Sequence, residues 1–133
     1  MKGLKAHIVK SLPVGTYLDS CDNSGAKNVK IFSVFGHKCR KGQKPAAGIA
    51  DLVMVTVKKG KPDMRKQVAF AIVVRQKKEY RRSNGMRIKF EDNAVVILKD
   101  DKGNPKGTIF KGPIAKEVAD RWPAVAKIAS SIV

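Results

Sequence analysis

Acidic side chains are scarce in this chain of 133 residues. There are 11 Asp and Glu residues against 28 Lys and Arg, which gives a formal net charge of +17 at pH 7. A compact domain with so little acid repels itself unless a polyanion neutralises the excess. The charge balance therefore favours nucleic acid as the partner, with an anionic membrane surface as the second choice.

Long apolar runs are also missing. The longest uninterrupted one extends from Val68 to Val74, whereas a helix that spans a bilayer needs roughly 20 apolar residues. The lysines near the N-terminus are not followed by an apolar segment, so we expect no secretory signal. The sequence therefore predicts a cytoplasmic protein without a membrane partner.

Cysteine is too rare for a disulfide framework, since Cys21 and Cys39 are the two in the chain. In a reducing setting we expect inert thiols. Together with His7 and His37 they would make a set of two cysteines and two histidines. The close pairing that zinc sites use is absent from their spacing. We therefore expect no metal and no other cofactor.

Candidate catalytic groups are few as well. Asp19, Asp22, Glu91 and Asp92 are the carboxylates of interest outside the polar turn near residue 100. Turn formation accounts for Asp22, and solvated strand ends account for the others. No nucleophile is paired with a histidine and an acid, and no glycine-rich phosphate loop is present. We therefore expect a protein that is not an enzyme and has no small-molecule substrate.

Turn-forming residues recur about every dozen positions, which is typical of a small all-β barrel or sandwich. Apolar residues change face midway between Val29 and Phe35, as a bulge or a barrel corner would allow. The apolar strand patterns also place Phe32, Phe35, Phe70 and Phe90 in the core. Strands are predicted at 16–21, 26–35, 52–57, 68–75 and 94–98, with a turn at 22–25 and a hairpin at 80–90 around an Asn-Gly pair.

The C-terminal segment has a helical period instead. Ile114, Val118 and Trp122 recur at steps of four after a proline that can open a helix. Pro123 ends this helix and can open a second one that extends to about residue 132. The sequence therefore predicts a single, mainly β domain over residues 1–133, with a barrel at about 14–98 and a helical appendage at 112–133.

Basic residues are concentrated on the predicted loops. Residues 1–90 hold 21 basic and 5 acidic residues, and residues 91–133 hold 7 and 6. Long cations on loops between rigid strands can reach phosphates, so we predict shape-directed RNA binding. Tyr80 is the candidate for stacking on a base. The alternative is a set of solvated basic faces that maintain solubility. The candidate RNA-binding residues are Lys27, Lys38, Arg40, Lys41, Lys44, Lys58, Lys59, Lys61, Arg65, Lys66, Arg75, Lys77, Lys78, Tyr80, Arg81, Arg82 and Arg87.

The polar face of the first predicted C-terminal helix carries both signs of charge. Lys116, Glu117, Asp120 and Arg121 share this face. Mixed charge suits a reversible protein contact better than a phosphate. We therefore predict a protein-partner face, and the alternative is a solvated surface without a partner.

The chain carries several distinctive motifs, which are residues 22–27, Ala71-Ile72-Val73-Val74, Asn84-Gly85, Phe90, Asn93, Val96-Ile97 and Gly112-Pro113-Ile114. Together these motifs resemble the ribosomal protein L-fourteen family of the large subunit. The resemblance extends from about Val14 to the C-terminus and keeps the order and spacing of the motifs. The segments at 45–48 and 58–62 are closer to the archaeal and eukaryotic branch, and the absence of a long basic N-terminal extension favours archaea.

The resemblance implies a closed five-stranded β-barrel with short C-terminal helices and a structural role in the large ribosomal subunit. Its implied partners are large-subunit rRNA, small-subunit rRNA at intersubunit bridges, and ribosomal proteins L-three and L-twenty-four-e. An anti-association factor is a further partner that it suggests. The residues alone leave two other functional classes open. One is a free RNA chaperone or translation factor, and the other is an RNA-processing enzyme that uses the carboxylates.

The electrostatic argument predicts a steep salt dependence of RNA binding. Six to ten phosphate contacts would lower the affinity by about three to five decades between roughly 50 and 200 mM salt on the duplex-DNA scale, and by less where RNA is unpaired. Titration of the purified protein with isolated rRNA at several salt concentrations measures this slope. A nearly flat response would contradict the electrostatic account.

Overall fold

The computed structural model describes residues 3–37 and 39–133. The strands are β1 (Leu12–Pro13), β2 (Tyr17–Ser20), β3 (Ala26–Val34), β4 (Ala46–Ala47), β5 (Leu52–Gly60), β6 (Val68–Arg75), β7 (Tyr80–Arg81), β8 (Arg87–Ile88) and β9 (Ala94–Leu98). The helices are α1 (Lys116–Arg121) and α2 (Pro123–Ile128).

Five strands form a closed barrel in the order β2-β3-β5-β6-β9. Four of the five contacts are antiparallel, and β9 closes the barrel by pairing parallel to β2 at Asp19 with Ala94 and Ser20 with Val95. The predicted mainly β fold with a closed five-stranded barrel is confirmed. Strands β6 and β9 have the predicted bounds, and β5 extends to Gly60 instead of ending at residue 57.

The barrel interior holds one of two apolar cores. Leu18, Val29, Val55, Val73 and Val95, from the five barrel strands, are among its buried residues. Side chains alternate between the two faces of a strand, so each strand contributes every second residue to this interior. Branched residues suit such a surface because they pack well on a pleated sheet.

A second core lies between the outside of the barrel and the C-terminal segment. Ile72 and Val96, which face out of the barrel on β6 and β9, pack in one cluster with Val118, Trp122 and Val125. Strands β6 and β9 are therefore covered on both faces. Double coverage explains why these two strands are nearly continuous apolar runs, a pattern that occurs when both faces of a strand are buried.

The C-terminal helices are shorter than the sequence predicts. Ile114 forms a parallel bridge with Ile132, so both residues lie in extended chain and the helical prediction for them is wrong. Helix α1 begins at Lys116 and α2 at Pro123. Trp122, between them, has φ −121° and ψ 87°, since the residue before a proline avoids the helical region. Within the described ranges, no helix has the length and apolar character needed to cross a membrane.

Two of the four phenylalanines assigned to the core lie on the surface. Phe32 is 43% exposed and Phe35 is 41% exposed, so this prediction is wrong for both. Phe32 follows Ile31, which faces the barrel interior, so the Phe32 side chain points out of the barrel. The register of β3 against β5 then shifts between Ile31 and Ser33, which brings Val34 to the inside, and Phe35 lies beyond the end of β3. Phe70 and Phe90 are partly buried against the second core.

One strand provides a matched test of the barrel interior. Val73 is fully buried on β6, and Val68, on the same strand, is 55% exposed. Val73→Asp would bury an unpaired carboxylate, so we expect it to unfold the protein, whereas Val68→Asp should cost no more than about 1 kcal/mol. Urea unfolding of the two variants checks this difference, and equal destabilisation by both would contradict the assigned faces.

Candidate nucleic-acid interface

The first basic cluster lies in the loop between β3 and β4. Arg40, Lys41 and Lys44 are all exposed there. Lys41 has a positive φ of 53°, which places it in a tight turn. Lys38, the fourth predicted member, lies outside the described residues.

The second cluster follows the end of β5. Lys58 and Lys59 are exposed on the strand, and Lys61, Arg65 and Lys66 are exposed in the loop that leads to β6. This cluster is called the β5–β6 basic loop below.

Buried contacts hold the β5–β6 basic loop in place. Met64 is buried beneath it, and the backbone N–H of Lys61 donates to the carbonyl of Gly25 at 3.0 Å. A side chain at Gly60 would place its Cβ 2.4 Å from that same carbonyl oxygen, and Gly60 has a φ of 151°. Only glycine allows two loops to approach this closely. The cations therefore project from a fixed backbone.

The third cluster surrounds the hairpin of β7 and β8. Arg81 and Arg87 are paired across it and both are exposed. Asn84 Oδ1 accepts the N–H of Met86 at 3.0 Å, and Gly85 has a φ of 88°, so the Asn-Gly pair forms the predicted turn. The hairpin prediction is confirmed, although each of its strands has two residues.

Most of the predicted RNA-binding cations have no acidic partner. Lys78 has an ion pair with Glu79 at 3.1 Å, but both side chains are largely exposed, and such pairs contribute little. An exposed cation without a partner is free to bind phosphate. Within the described ranges, the exposed candidates without an ion pair are Lys27, Arg40, Lys41, Lys44, Lys58, Lys59, Lys61, Arg65, Lys66, Lys77, Arg81 and Arg87.

Arg75 has a structural role instead of a place at the surface, which corrects its assignment. Its guanidinium is buried and bonds both carboxylate oxygens of Asp92, at 2.9 and 3.2 Å. It also donates to the carbonyls of Lys111 and Pro113, each at 2.9 Å. A bidentate pair with two further acceptors fixes the segment before α1 against β6.

Tyr80 cannot serve as the predicted stacking residue in this structure, because it is 1% exposed. Its hydroxyl donates to Glu117 at 3.0 Å. Burial, together with the nearby Glu117 carboxylate, raises the pKa of Tyr80 to about 12. The ring anchors the hairpin to α1.

Arg82 takes part in the same network. Its Nε donates to Glu117 at 2.9 Å, and its Nη2 donates to the Tyr80 hydroxyl at 3.1 Å. The side chain is 17% exposed, so Arg82 differs from the exposed cations on either side of it. Its guanidinium ties the hairpin to the helix.

The predicted protein-partner face is smaller than expected. Glu117 bonds Tyr80 and Arg82, and Arg121 donates to the carbonyl of Ala50 at 2.9 Å. These two side chains therefore point toward the barrel and are largely buried. Lys116 and Asp120 remain exposed on α1.

Asp51 is a structural centre that sequence reasoning missed. Its buried carboxylate pairs with Lys5, Lys10 and Arg121 and accepts the backbone N–H of Gly48 at 2.8 Å. It thereby joins the N-terminal segment, the loop before β5 and α1. An acid inside an otherwise apolar stretch, next to Leu52, was the available signal.

Two of the remaining polar candidates, Asp22 and Cys21, are buried in the fold. Asp22 is buried, where it accepts bonds from Ser20, Ser24 and the N–H of Ile97, so it closes a turn as predicted. Burial raises the pKa of Cys21 to about 12, which keeps this thiol protonated at neutral pH. Across residues 3–37 and 39–133, no three His, Cys, Asp or Glu side chains are grouped to hold a metal ion.

A closed barrel with unpaired cations on several loops defines the class of this protein: a basic β-barrel protein that is suited to an anionic partner. The chain belongs to the ribosomal protein L14p/L23e family, whose model matches residues 11–133. It is 64% identical to the large ribosomal subunit protein uL14 of Nanoarchaeum equitans, with all of both chains covered. It is 52% identical to uL14 of Methanothrix thermoacetophila over all of both chains, and 52% identical to that of Methanococcus maripaludis over 99% of each. The resemblance to the archaeal branch is confirmed, and the family is not an enzymatic one.

Arg81, on β7, and Arg82, the residue that follows it, provide a test of the structural role assigned to Arg82. Arg82→Ala removes the partner of the largely buried Glu117 carboxylate, so we expect it to lower the free energy of unfolding by about 1–3 kcal/mol. Arg81→Ala removes an exposed cation and should change it by no more than about 0.5 kcal/mol. Urea unfolding at pH 7 measures both free energies. An unchanged free energy of unfolding in Arg82→Ala would show that the network does not stabilise the fold.

Proposed function

We propose that this protein is a structural constituent of the large ribosomal subunit that binds large-subunit rRNA through its basic loops. The observation that carries the proposal is the set of exposed loop cations without acidic partners on a backbone fixed by the barrel. Membership of a ribosomal protein family gives the setting, and the relatives named above are large-subunit proteins. The place of action is then the cytoplasm, within the ribosome.

The arrangement of the cations supports recognition of RNA by shape. Side chains of Lys and Arg on loops reach phosphates but read no base sequence. Because the β5–β6 basic loop is anchored at Gly60 and Met64, its cations are held at a set spacing before RNA arrives. Preorganisation lowers the entropy lost on binding. The barrel thus acts as a rigid support for phosphate contacts along a folded RNA.

The near-neutral C-terminal third is suited to different contacts. Residues 91–133 carry 7 basic and 6 acidic residues, which favours protein neighbours over phosphate. We also propose contacts with ribosomal proteins L-three and L-twenty-four-e. Contacts with small-subunit rRNA at intersubunit bridges are a further part of the proposal. Lys116 and Asp120, the exposed charges of α1, are the residues we assign to an anti-association factor.

The basic loop provides the test. The triple variant Lys61→Ala, Arg65→Ala, Lys66→Ala should reduce the steepness of the salt dependence of rRNA binding by about two to three in log–log slope, since each lost phosphate contact removes about 0.7–0.9. It should also reduce the fraction that co-sediments with large subunits after a high-salt wash.

The matched control changes three exposed lysines outside the basic clusters. Lys99→Ala, Lys102→Ala, Lys127→Ala removes the same charge from residues that are also exposed, and we expect near-normal binding. Equal losses for both triple variants would show that net charge, and not the loop, determines binding. Recovery of the unaltered protein mainly in the free pool would favour a free RNA chaperone and overturn the ribosomal proposal.

A further inference from the structure

Aromatic side chains are exposed together on the outside of the barrel. Tyr17 is 57% exposed, Phe32 43% and Phe35 41%. The Phe35 ring lies 5.7 Å from that of the half-buried Phe70, measured between centroids. These four residues are called the aromatic wall. None of the contacts described above requires its exposed rings, and apolar surface that stays uncovered in a small protein commonly marks an interaction site.

Strand pairing places two rings of the aromatic wall, those of Tyr17 and Phe32, on neighbouring strands and on the same face of the barrel. Tyr17 on β2 is paired with Lys30 on β3, and Phe32 follows two residues later on the same face of β3. Gly15 lies beside Phe32, since its N–H donates to the carbonyl of Ile31 at 2.8 Å. No atom lies within 4 Å of the position that a Cβ of Gly15 would occupy. The space above Gly15, next to Phe32 in the chain pairing, is therefore open.

The charges around the aromatic wall favour an anionic partner. The Lys30 ammonium lies over the Tyr17 ring, 5.6 Å from its centroid. Further along the same strands, Lys59 is paired with Asn28, and this leads directly into the β5–β6 basic loop. The acidic neighbour on this side, Asp19, accepts a hydrogen bond from Asn28. This surface has aromatic rings at one end and lysines at the other. It therefore suits a single strand of RNA, which carries both flat bases and phosphates.

We propose that the aromatic wall is a stacking site for unpaired RNA bases, next to the phosphate contacts of the β5–β6 basic loop. The proposal rests on the proposed rRNA-binding function and adds a ligand class and a location to it. Every base has a π face, so stacking on Tyr and Phe tolerates any sequence and requires unpaired nucleotides. Duplex RNA offers its bases only at the ends and would bind through the loops alone.

A double leucine variant separates stacking from simple apolar contact. Tyr17→Leu, Phe32→Leu retains apolar side chains at both positions but removes the rings. Binding is measured at low salt with two probes, an unpaired oligouridine and a blunt RNA duplex. We expect the variant to lose at least about fivefold in affinity for oligouridine for each ring that a base contacts, and to bind the duplex like the unaltered protein. Ile109→Ala, at an apolar residue that is 62% exposed elsewhere, is the control and should change neither affinity.

Each other outcome is decisive. Unchanged oligouridine binding by the leucine variant overturns the stacking site while leaving the proposed function intact, and so does an equal loss on both probes. If the unaltered protein binds neither probe, the proposed function fails as well. A second double variant, Tyr17→Ser, Phe32→Ser, removes the apolar side chains as well as the rings. If this variant fails to incorporate into large subunits while the leucine variant incorporates and binds oligouridine normally, the aromatic wall contacts a protein and the stacking proposal is wrong. Thermal unfolding of each variant confirms that it is folded.

Discussion

Closure of the barrel by the parallel contact between β2 and β9 is the constraint on which the rest of the structure depends. It gives β9 hydrogen-bonded neighbours on both edges, and the C-terminal segment then covers the outside of β6 and β9. One pair of strands thus belongs to two cores at once. Loss of the pairing would expose the barrel interior and leave Val118 and Trp122 without the surface on which they pack. Short helices such as α1 and α2 are not stable in water without such packing.

Part of the small supply of acid is used in contacts within the protein. Asp22 and Asp51 are buried, and Asp92 and Glu117 bond Arg75 and Arg82 inside the fold. Four of the 11 acidic residues are therefore used to join segments of the chain. Most of the exposed loop cations in the described residues have no ion pair, so their charges are available to an anionic partner. Internal ion pairing and a basic exterior that suits an anionic partner are two results of one uneven composition.

Much of this could be predicted from the sequence, and the limits have physical causes. Continuous apolar runs identified β6 and β9, and an Asn-Gly pair identified the hairpin. Exposure within a strand was harder to predict, because the shift in register between Ile31 and Ser33 interrupts the regular alternation of faces along β3. Tyr80, which lies between basic residues, suggested stacking on an RNA base. Its hydroxyl instead donates a hydrogen bond to Glu117, which is distant in sequence. Such long-range partners do not appear in local patterns, and the burial of Arg75 and Asp51 was missed for the same reason.

The central claim is that exposed loop cations on a rigid barrel hold the protein on large-subunit rRNA. Hydroxyl-radical footprinting of rRNA in large subunits assembled with and without this protein tests it most directly. The account predicts protection of the RNA backbone at several separate sites when the protein is present. It also predicts that the site opposite the β5–β6 basic loop loses protection when Lys61, Arg65 and Lys66 are changed to alanine. Identical cleavage with and without the protein, or protection that persists unchanged in that variant, would contradict the account.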